Sequence, residues 1–435
     1  MESDIKNFFE PETIAVIGAS NHEEKVGYAL MYNLRNFKNV IPINIHEEVI
    51  LGRKCYKSVL NYKDKIDLAV IAIPAEFVKK VLIECGKKKI KNVIIISAGF
   101  SEIGNIKAEE ELFKIAKKYK IRILGSNAFG TVNPYLELDT SFAKTIPEKG
   151  NIAFISQSGA LWSGIVEWSL DKFGFSKFVS LGNMMDVNFS DLIEYFNKDE
   201  LTKVIVCYIE YIKNGKEFMQ VVKRSKKPVI ILKAGSSEKG IKAALSHTGS
   251  IAGEYEIYKA AFKQCNAILV NNLSDAFDKA NYLVNQKSGK NVVIISNAGG
   301  PAVLTADYCS KYKLNVVELP DRLIKKLNLP KNWSKQNPID LIGDADYDRY
   351  REVFNKLDKE KFFDSVIVIL TQQRMIDVIK VAEEVINFKR STNKNVVCCF
   401  MGGGEVNVAK EILKKEEILC FFEPENAVKA LGFSD

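Results

Sequence analysis

Histidine is scarce in this sequence, with three among 435 residues. The eight cysteines form no CxxC pair, and no cluster of cysteine and histidine has the spacing of a zinc site. We therefore predict no metal site on this chain. Several cysteines, such as Cys207 and Cys398, lie inside apolar runs. This is typical of reduced core residues and predicts a cytoplasmic protein.

Long apolar runs are missing as well. No stretch approaches the ~20 apolar residues of a membrane span, and the N-terminal MESDIKNFFEPE is acidic and lacks the apolar region of a signal peptide. The basic residues are spread along the chain, without the arginine-rich or aromatic-interleaved patterns typical of nucleic-acid binding. We expect neither a membrane nor a nucleic acid as a partner.

The formal net charge is +8. An excess of positive charge favours a polyanionic ligand such as a nucleotide or coenzyme A. A general abundance of lysine explains the same number, so the charge leaves both interpretations open.

Short apolar strands alternate with helices along the whole chain. The first strand, Ile14–Ile17, is entirely apolar and ends at a glycine. This alternation predicts an α/β fold with three-layer, doubly wound parallel sheets. At roughly 150 residues per domain the length predicts three domains. Turn-rich breaks place them at 1–145, 146–287 and 288–435.

Four strand ends in the first predicted domain carry small or turn-forming residues, and ligands of open α/β sheets bind at this edge. A single end of this kind indicates ordinary turn chemistry, but four favour a ligand cleft. We also expect a helix to begin directly after Ser20, with N–H groups free to bind a phosphate. The full GxGxxG pattern is missing, so the motif for a dinucleotide is weak. The four ends are Gly18-Ala19-Ser20, Ile73-Pro74-Ala75, Ser97-Ala98-Gly99 and Gly125-Ser126-Asn127.

A strand–turn–helix pattern occurs twice in the rest of the chain. Phe154–Ala160 reads FISQSGA and Ile294–Gly300 reads IISNAGG. In both, an apolar strand leads through a serine and an amide side chain into a helix. Each helix start presents free amides and the positive end of the helix dipole, which favours an anion such as phosphate.

One histidine, His247, lies among small residues in the segment KAALSHTGSIAG. Such a segment bends freely and allows close approach to another surface, and imidazole is a good nucleophile near neutral pH. A single histidine is more often structural or simply exposed, and that alternative stays open. Glu210 ends an apolar strand in the same predicted domain. It is a candidate to orient the imidazole, with a solvated strand-end glutamate as the alternative.

Together these motifs resemble the nucleoside-diphosphate-forming acyl-CoA synthetases, most closely the α subunits of the ADP-forming acetyl-CoA synthetases. SHTGSIAG and SQSGAL carry the resemblance, and further matching segments cover essentially the whole chain. They are IAVIGAS, LGRKCYKSV, AVIAIPA, ISAGFSE, KFVSLGN, ISNAGGPAVL and NPIDLIGDA.

The resemblance implies a CoA-binding Rossmann-like domain followed by two flavodoxin-like domains. It places a transiently phosphorylated histidine at His247 and the glutamate that steadies it at Glu210. It places phosphate binding at Ser156, Gln157, Ser158 and Gly159, and we extend this by the internal repeat to Ala298, Gly299 and Gly300. The positions implied for CoA are Gly18, Ala19, Ser20, Lys25, Ile73, Pro74, Ser97 and Asn127.

One segment departs from the family pattern. Where many members have LGPNCLG, this chain has LGSNAFG at Leu124–Gly130. The asparagine is kept, but the proline and the cysteine are replaced. Since the family uses this segment near the thioester, the two replacements bear on acyl preference and on turnover.

The family also needs an ATP-grasp module, for which three α/β domains leave no room in 435 residues. We expect a separate β subunit in an α2β2 heterotetramer, or the missing part of a fused chain, with ATP or ADP and Mg²⁺ bound there. The implied substrates are acyl-CoA and phosphate. Two alternatives are a non-catalytic CoA-binding regulatory module and a nicotinamide-dependent oxidoreductase. The intact histidine segment argues against the first, and the missing GxGxxG weakens the second.

Overall fold

The computed structural model describes residues 3–237, 239–240, 255–285 and 290–431. The chain forms two compact units, Met1–Ala280 and Asn281–Asp435. None of the helices in these residues is both long enough and apolar enough to cross a membrane.

The first unit contains two parallel-rich sheets and a short hairpin. Its helices, with the last extending into the second unit, are Ser3–Lys6, Val26–Asn33, Ala75–Lys87, Ile106–Tyr119, Ala160–Ser169, Phe189–Lys198, Gly215–Arg224, Tyr255–Gln264 and Leu273–Asn285. Its strands are β1 (Ile14–Ile17), β2 (Val40–Ile43), β3 (Val49–Ile50), β4 (Arg53–Lys54), β5 (Leu68–Ile71), β6 (Asn92–Ile95), β7 (Arg122–Gly125), β8 (Thr131–Asn133), β9 (Leu138–Asp139), β10 (Lys149–Ser156), β11 (Phe175–Ser180), β12 (Val204–Ile209), β13 (Val229–Lys233) and β14 (Ile268–Val270).

The first sheet has the order β2-β1-β5-β6-β7, and all neighbouring strands are parallel. Every residue of β1, β5 and β6 is buried, because helices cover both faces of a parallel sheet. Hydrophobic residues of the helices supply this cover, with Val78 and Leu82 on one helix and Leu30 and Met31 on another.

The second sheet has the order β14-β13-β12-β10-β11-β8-β9. Its first five strands are parallel, whereas β8 pairs antiparallel with β11 and β9 pairs antiparallel with β8. Trp162, from the helix after β10, is fully buried and stacks on Phe178 with ring centroids 4.0 Å apart. This aromatic packing fixes the helix that begins at the predicted phosphate site.

The second unit has one six-stranded parallel sheet, in which β15 to β20 have the order β16-β15-β18-β19-β20 and β17 pairs with β15. The strands are β15 (Asn291–Ser296), β16 (Asn315–Val316), β17 (Ile339–Asp340), β18 (Ser365–Thr371), β19 (Asn395–Met401) and β20 (Cys420–Phe421). The helices are Gly299–Lys311, Asp321–Ile324, Tyr347–Leu357, Val378–Ser391, Gly404–Lys415 and Pro424–Leu431.

The predicted fold class is confirmed, with two local differences. The helix expected directly after Ser20 begins at Val26, because the intervening residues form turns in which Ser20 Oγ accepts a hydrogen bond from His22 N (3.0 Å). The antiparallel β8 and β9 were not predicted, since strands of two or three residues carry too little periodicity. The domain limits at 145 and 287 stay predictions.

Asp139 on β9 gives a stability prediction. Its side chain is buried, and its Oδ2 has no hydrogen-bond partner among the residues that the structure describes. Burial raises the pKa of Asp139 from 3.8 to about 7, although donation from Ser141 to the carboxyl acts the other way. The folded state therefore binds the proton more tightly than the unfolded chain, and ionisation above pH 7 destabilises it.

We expect the unfolding free energy of Asp139→Asn, relative to that of the wild type, to rise by about 2–4 kcal/mol between pH 4.5 and pH 8, because only the wild type loses a bound proton there. The wild type loses this stability as the pH rises from about 4 to 7, so the gain grows over that window and is constant above it. Calorimetric melting at pH 4.5, 6 and 8 measures the effect. The control is Asp67→Asn, which should destabilise because Asp67 Oδ2 accepts hydrogen bonds from Glu12 N (3.2 Å) and Thr13 N (3.1 Å). A difference between Asp139→Asn and the wild type that stays the same from pH 4.5 to pH 8 would contradict the prediction.

Candidate functional site

The carboxyl ends of β1 and β5 form the first part of the candidate site. These strands are neighbours, and the next strand along the chain lies on the left of the pair for one and on the right for the other: β1 is followed by β2, and β5 by β6. Open α/β sheets bind ligands at such a point of the strand order. Gly18 follows β1 with φ of +92°, and a Cβ atom there would lie 2.2 Å from Ala72 O. Only glycine fits, because the end of β1 packs directly against the residues that follow β5.

A cavity of about 430 Å³ lies at this edge of the first sheet. Apolar side chains from Ile73 and Phe77 line it together with the cations Lys57 and Lys80. A pocket with an apolar wall and two positive groups suits a ligand that combines an aromatic ring with phosphates. The remaining lining residues are Ile17, Gly18, Ile43, Asn44, Ile45, His46, Ser58, Val59, Pro74, Val81 and Glu84.

The carboxyl ends of β10 and β12 form the second part of the candidate site. These strands are also neighbours at a point where the chain leaves towards opposite sides. Ser156 Oγ donates to Ser158 O (2.7 Å) and accepts from Ser158 N (3.1 Å). These bonds shape the turn into the helix Ala160–Ser169, whose first amides have no partner within the helix.

Gln157 joins the two strand ends of this second part. Its side chain is buried, and its Oε1 accepts hydrogen bonds from Glu210 N (2.6 Å) and Tyr211 N (3.0 Å). Its Nε2 has no hydrogen-bond partner in the part of the chain that the structure describes. A buried amide donor without a partner is costly, and an anionic ligand would supply the missing acceptor.

Lys233 brings a positive charge to the same edge. Its Nζ donates to the backbone carbonyl of Glu210 (2.8 Å) and lies 4.5 Å from the centroid of the Tyr258 ring. Burial lowers the pKa of Lys233 to about 8, although the charge of Glu210 opposes this shift. The glutamate that the sequence indicated therefore lies beside a buried lysine.

The carboxyl end of β15 in the second unit repeats this geometry. Ser296 Oγ donates to Ala298 O (2.8 Å) and accepts from Ala298 N (3.0 Å). Asn297 takes the place of Gln157, because its Oδ1 accepts from Thr371 N (2.8 Å) and its Nδ2 donates to Thr371 O (2.9 Å) at the end of neighbouring β18. The repeat read from the sequence is thus also a repeat of hydrogen bonds.

Comparison with known proteins agrees with this architecture. The family model for a CoA binding domain matches residues 12–134, and that for a succinyl-CoA ligase like flavodoxin domain matches residues 149–283. The α subunit of acetate–CoA ligase (ADP-forming) II of Pyrococcus furiosus is 42% identical over 97% of this chain and 95% of its own length.

The chain belongs to the ADP-forming acetate–CoA ligase family.

Two further members of the ADP-forming acetate–CoA ligase family are similar over nearly the whole chain. A solved structure of acetyl-coenzyme A synthetase 1 of Ca. Korarchaeum cryptofilum, in complex with phosphate and ADP, matches with a TM-score of 0.95 and 36% identity over 99% of this chain and 96% of that one. The acetate–CoA ligase (ADP-forming) I of Archaeoglobus fulgidus is 41% identical over 98% of this chain. The chain spans 63% of the length of that relative.

Only some of the residues that the family resemblance assigned to CoA line the cavity. Gly18, Ile73 and Pro74 line the cavity. Ser97 lies behind it, since its Oγ donates to Ile73 O (2.5 Å) and accepts from Ile73 N (3.2 Å). The other predicted CoA residues do not line this cavity: Ala19 and Ser20 are buried, whereas Lys25 and Asn127 are exposed.

Among the predicted phosphate and catalytic residues, Gln157 and Glu210 lie together at the second edge. Gly159 directly precedes the helix Ala160–Ser169 and packs so closely that a Cβ atom there would lie 2.4 Å from Phe129 Cβ. Gly299 and Gly300 are exposed at the start of the equivalent helix in the second unit. His247 lies outside the described residues, so its role stays a prediction.

Sequence reasoning missed several residues of this site. Lys57 and Lys80 occur in lysine-rich stretches that resemble the rest of the surface, and only the cavity distinguishes them. Lys233 could have been found, because a lysine at the end of the apolar strand VIILK is an unusual buried position.

Proposed function

We propose that this chain is the α subunit of an ADP-forming acyl-CoA ligase. The reaction interconverts acyl-CoA, ADP and phosphate with the free acid, CoA and ATP. The observation that carries the proposal is the similarity over nearly the full length to proteins named as α subunits of this enzyme. The two strand edges, one with an apolar and cationic cavity and one with free helix amides, supply the binding sites that such a reaction needs.

CoA is proposed to bind at the first edge. Its phosphates carry several negative charges, which Lys57 and Lys80 would neutralise. The adenine and pantetheine parts would lie against Ile73 and Phe77. The thioester end would reach the segment containing Asn127, whose backbone N donates to Ser97 O (3.0 Å).

Phosphate is proposed to bind at the second edge, at the amides after Ser158 and at Gln157 Nε2. Its oxygen attacks the thioester carbonyl, CoA leaves as the thiol, and an acyl phosphate remains. An imidazole nitrogen of His247 then attacks the phosphorus and releases the carboxylate. Glu210 stabilises the positive imidazolium character that develops on the phosphorylated histidine, and the phosphoryl group passes on to ADP.

ADP and its magnesium ion are proposed to bind to an ATP-grasp partner. This chain contributes no cluster of three or more possible metal ligands in the residues that the structure describes. The partner is a separate β subunit in an α2β2 assembly, or a further part of a fused chain. A cytoplasmic location is part of the same proposal.

Turnover with a partner subunit tests the function. We expect the chain, mixed with an ATP-grasp β subunit, to form acyl-CoA and ADP from ATP, CoA and a small acid such as acetate. Neither chain alone should do so. A panel of linear, branched and aromatic acids then identifies the acyl group.

If the chain binds both CoA and the β subunit but forms no thioester with any acid of the panel, the ligase proposal is wrong. A CoA-binding regulatory module would then be the better description.

A further inference from the structure

Asn183 lies where three strand ends of the first unit meet. It follows β11 of the second sheet, and its Nδ2 donates to Ser126 Oγ (2.9 Å), directly after β7 of the first sheet. The same Nδ2 donates to Glu102 Oε2 (2.6 Å) and approaches Glu109 Oε2 (3.1 Å). One amide thus connects the carboxyl edges of the two sheets.

The two carboxylates that Asn183 contacts, those of Glu102 and Glu109, are themselves fixed by residues of the first sheet. Glu102 accepts hydrogen bonds from the backbone N atoms of Gly99 and Phe100, which follow β6. Burial acts to raise the pKa of Glu102, but these donors and Asn183 outweigh it and lower the pKa, so the group is an ionised acceptor. Glu109 Oε2 accepts from Ser126 Oγ (2.9 Å). The cluster is therefore satisfied and rigid rather than a free acidic patch.

The backbone brings the same two edges together. Asn183 N donates to Ser126 O (2.8 Å). A Cβ atom on the preceding residue, Gly182, would lie 2.1 Å from that oxygen. No side chain can separate the edges at Gly182. The Asn183 side chain adds its bonds to Ser126 Oγ and Glu102 to this backbone contact.

On its other side, Asn183 connects to the predicted phosphate edge. Its backbone carbonyl oxygen accepts a hydrogen bond from Tyr211 Oη (2.9 Å). The backbone N of Tyr211 donates to Gln157 Oε1 (3.0 Å), and the same oxygen accepts a hydrogen bond from Glu210 N (2.6 Å). A continuous path of hydrogen bonds therefore runs from Ser126 through Asn183 to Glu210.

We propose that Asn183 is a positioning residue that holds the CoA edge of the first sheet at a fixed distance from the phosphate edge of the second sheet. The inference rests on the proposed function, because that function places thioester and phosphate at these two edges. The attack of phosphate on a thioester requires reacting atoms at about 3–3.5 Å, and a displacement of about 1 Å lowers the rate by roughly a hundredfold. A residue that fixes the spacing therefore acts on turnover without touching either substrate.

Hydrogen exchange with CoA tests this path directly. In the wild type, CoA should slow exchange of the amides after β6 and, through Asn183, those of Glu210 and Tyr211. In Asn183→Ala, and in Tyr211→Phe, which removes only the hydroxyl, protection after β6 should persist while protection at Glu210 falls at least fivefold. Tyr211→Phe keeps the test decisive if Asn183→Ala folds poorly.

Steady-state kinetics with the β subunit give a second readout. Both variants should keep the KM for CoA within about twofold and lose at least tenfold in kcat. The control is Asn133→Ala, another buried asparagine of the same unit, whose Nδ2 donates to Phe9 O (3.0 Å) away from both edges. It should leave kcat within about twofold of the wild type.

The outcomes separate this inference from the function on which it rests. A chain that binds CoA while Glu210 and Tyr211 do not respond, or respond equally in the variants, overturns the role of Asn183 alone. A kcat loss in Asn133→Ala as large as that in Asn183→Ala would assign the effect to stability and also overturn it. A chain that binds no CoA contradicts the proposed function, and the inference falls with it.

Discussion

Replacement of His247 by alanine is expected to abolish transfer of the γ-phosphate of ATP to this chain. In the proposed reaction the imidazole is the only group that carries the phosphoryl group covalently, so nothing replaces it when it is removed. The wild type, mixed with a β subunit and γ-labelled ATP, should take up label that is labile in acid and stable in alkali. His247→Ala should show no label above background.

A second histidine provides the control for that experiment. His22 is exposed and lies in the turn before the helix that begins at Val26, so His22→Ala should be labelled like the wild type. Label on His247→Ala would place the phosphoryl group on another residue. An unlabelled wild type, with a β subunit shown to bind both this chain and ATP, would count against phosphoryl transfer altogether.

Gly18→Ala is expected to lower the affinity for CoA at least a hundredfold. The added Cβ would lie 2.2 Å from Ala72 O and 2.8 Å from the Ile73 side chain, at a φ of +92°. Since Ile73 lines the cavity, relief of the clash must displace the end of β5 and deform the site. Titration calorimetry with CoA measures the loss.

The matched control for this substitution is Gly52→Ala. Gly52 also has a positive φ, of +76°, but a Cβ atom there meets nothing within 4 Å. It tests backbone strain without the clash, and it lies outside the cavity. Equal losses of CoA affinity in the two variants, or no loss in Gly18→Ala, would show that CoA binding does not depend on the end of β1.

Much of the fold was predictable because its parallel strands are buried on both faces. Such strands appear in the sequence as short apolar runs, and β1 has the same limits in the structure as in the prediction. The short β8 and β9 were not predicted, because their place is set by pairing, of β8 with β11 and of β9 with β8, and not by a local pattern.

The candidate site was predictable where chemistry follows a strand end. Gln157 and Glu210 were both identified in this way, and the structure joins them by a hydrogen bond from Glu210 N to Gln157 Oε1 (2.6 Å). Asn183 also follows a strand, in the segment KFVSLGN. Nothing in the sequence, however, indicates that its partners Glu102 and Ser126 lie 81 and 57 residues away along the chain.

The sequence by itself determined the family, the α/β class and the strand ends from which the site is built. These depend on local patterns, because burial, turn geometry and helix starts are each decided within a few neighbouring residues. Only the tertiary structure decided which strand ends meet, which lysines face the cavity at Gly18, and that Asn183 connects the two edges. Those relations depend on strand order and on contacts between distant segments, which a linear pattern does not contain.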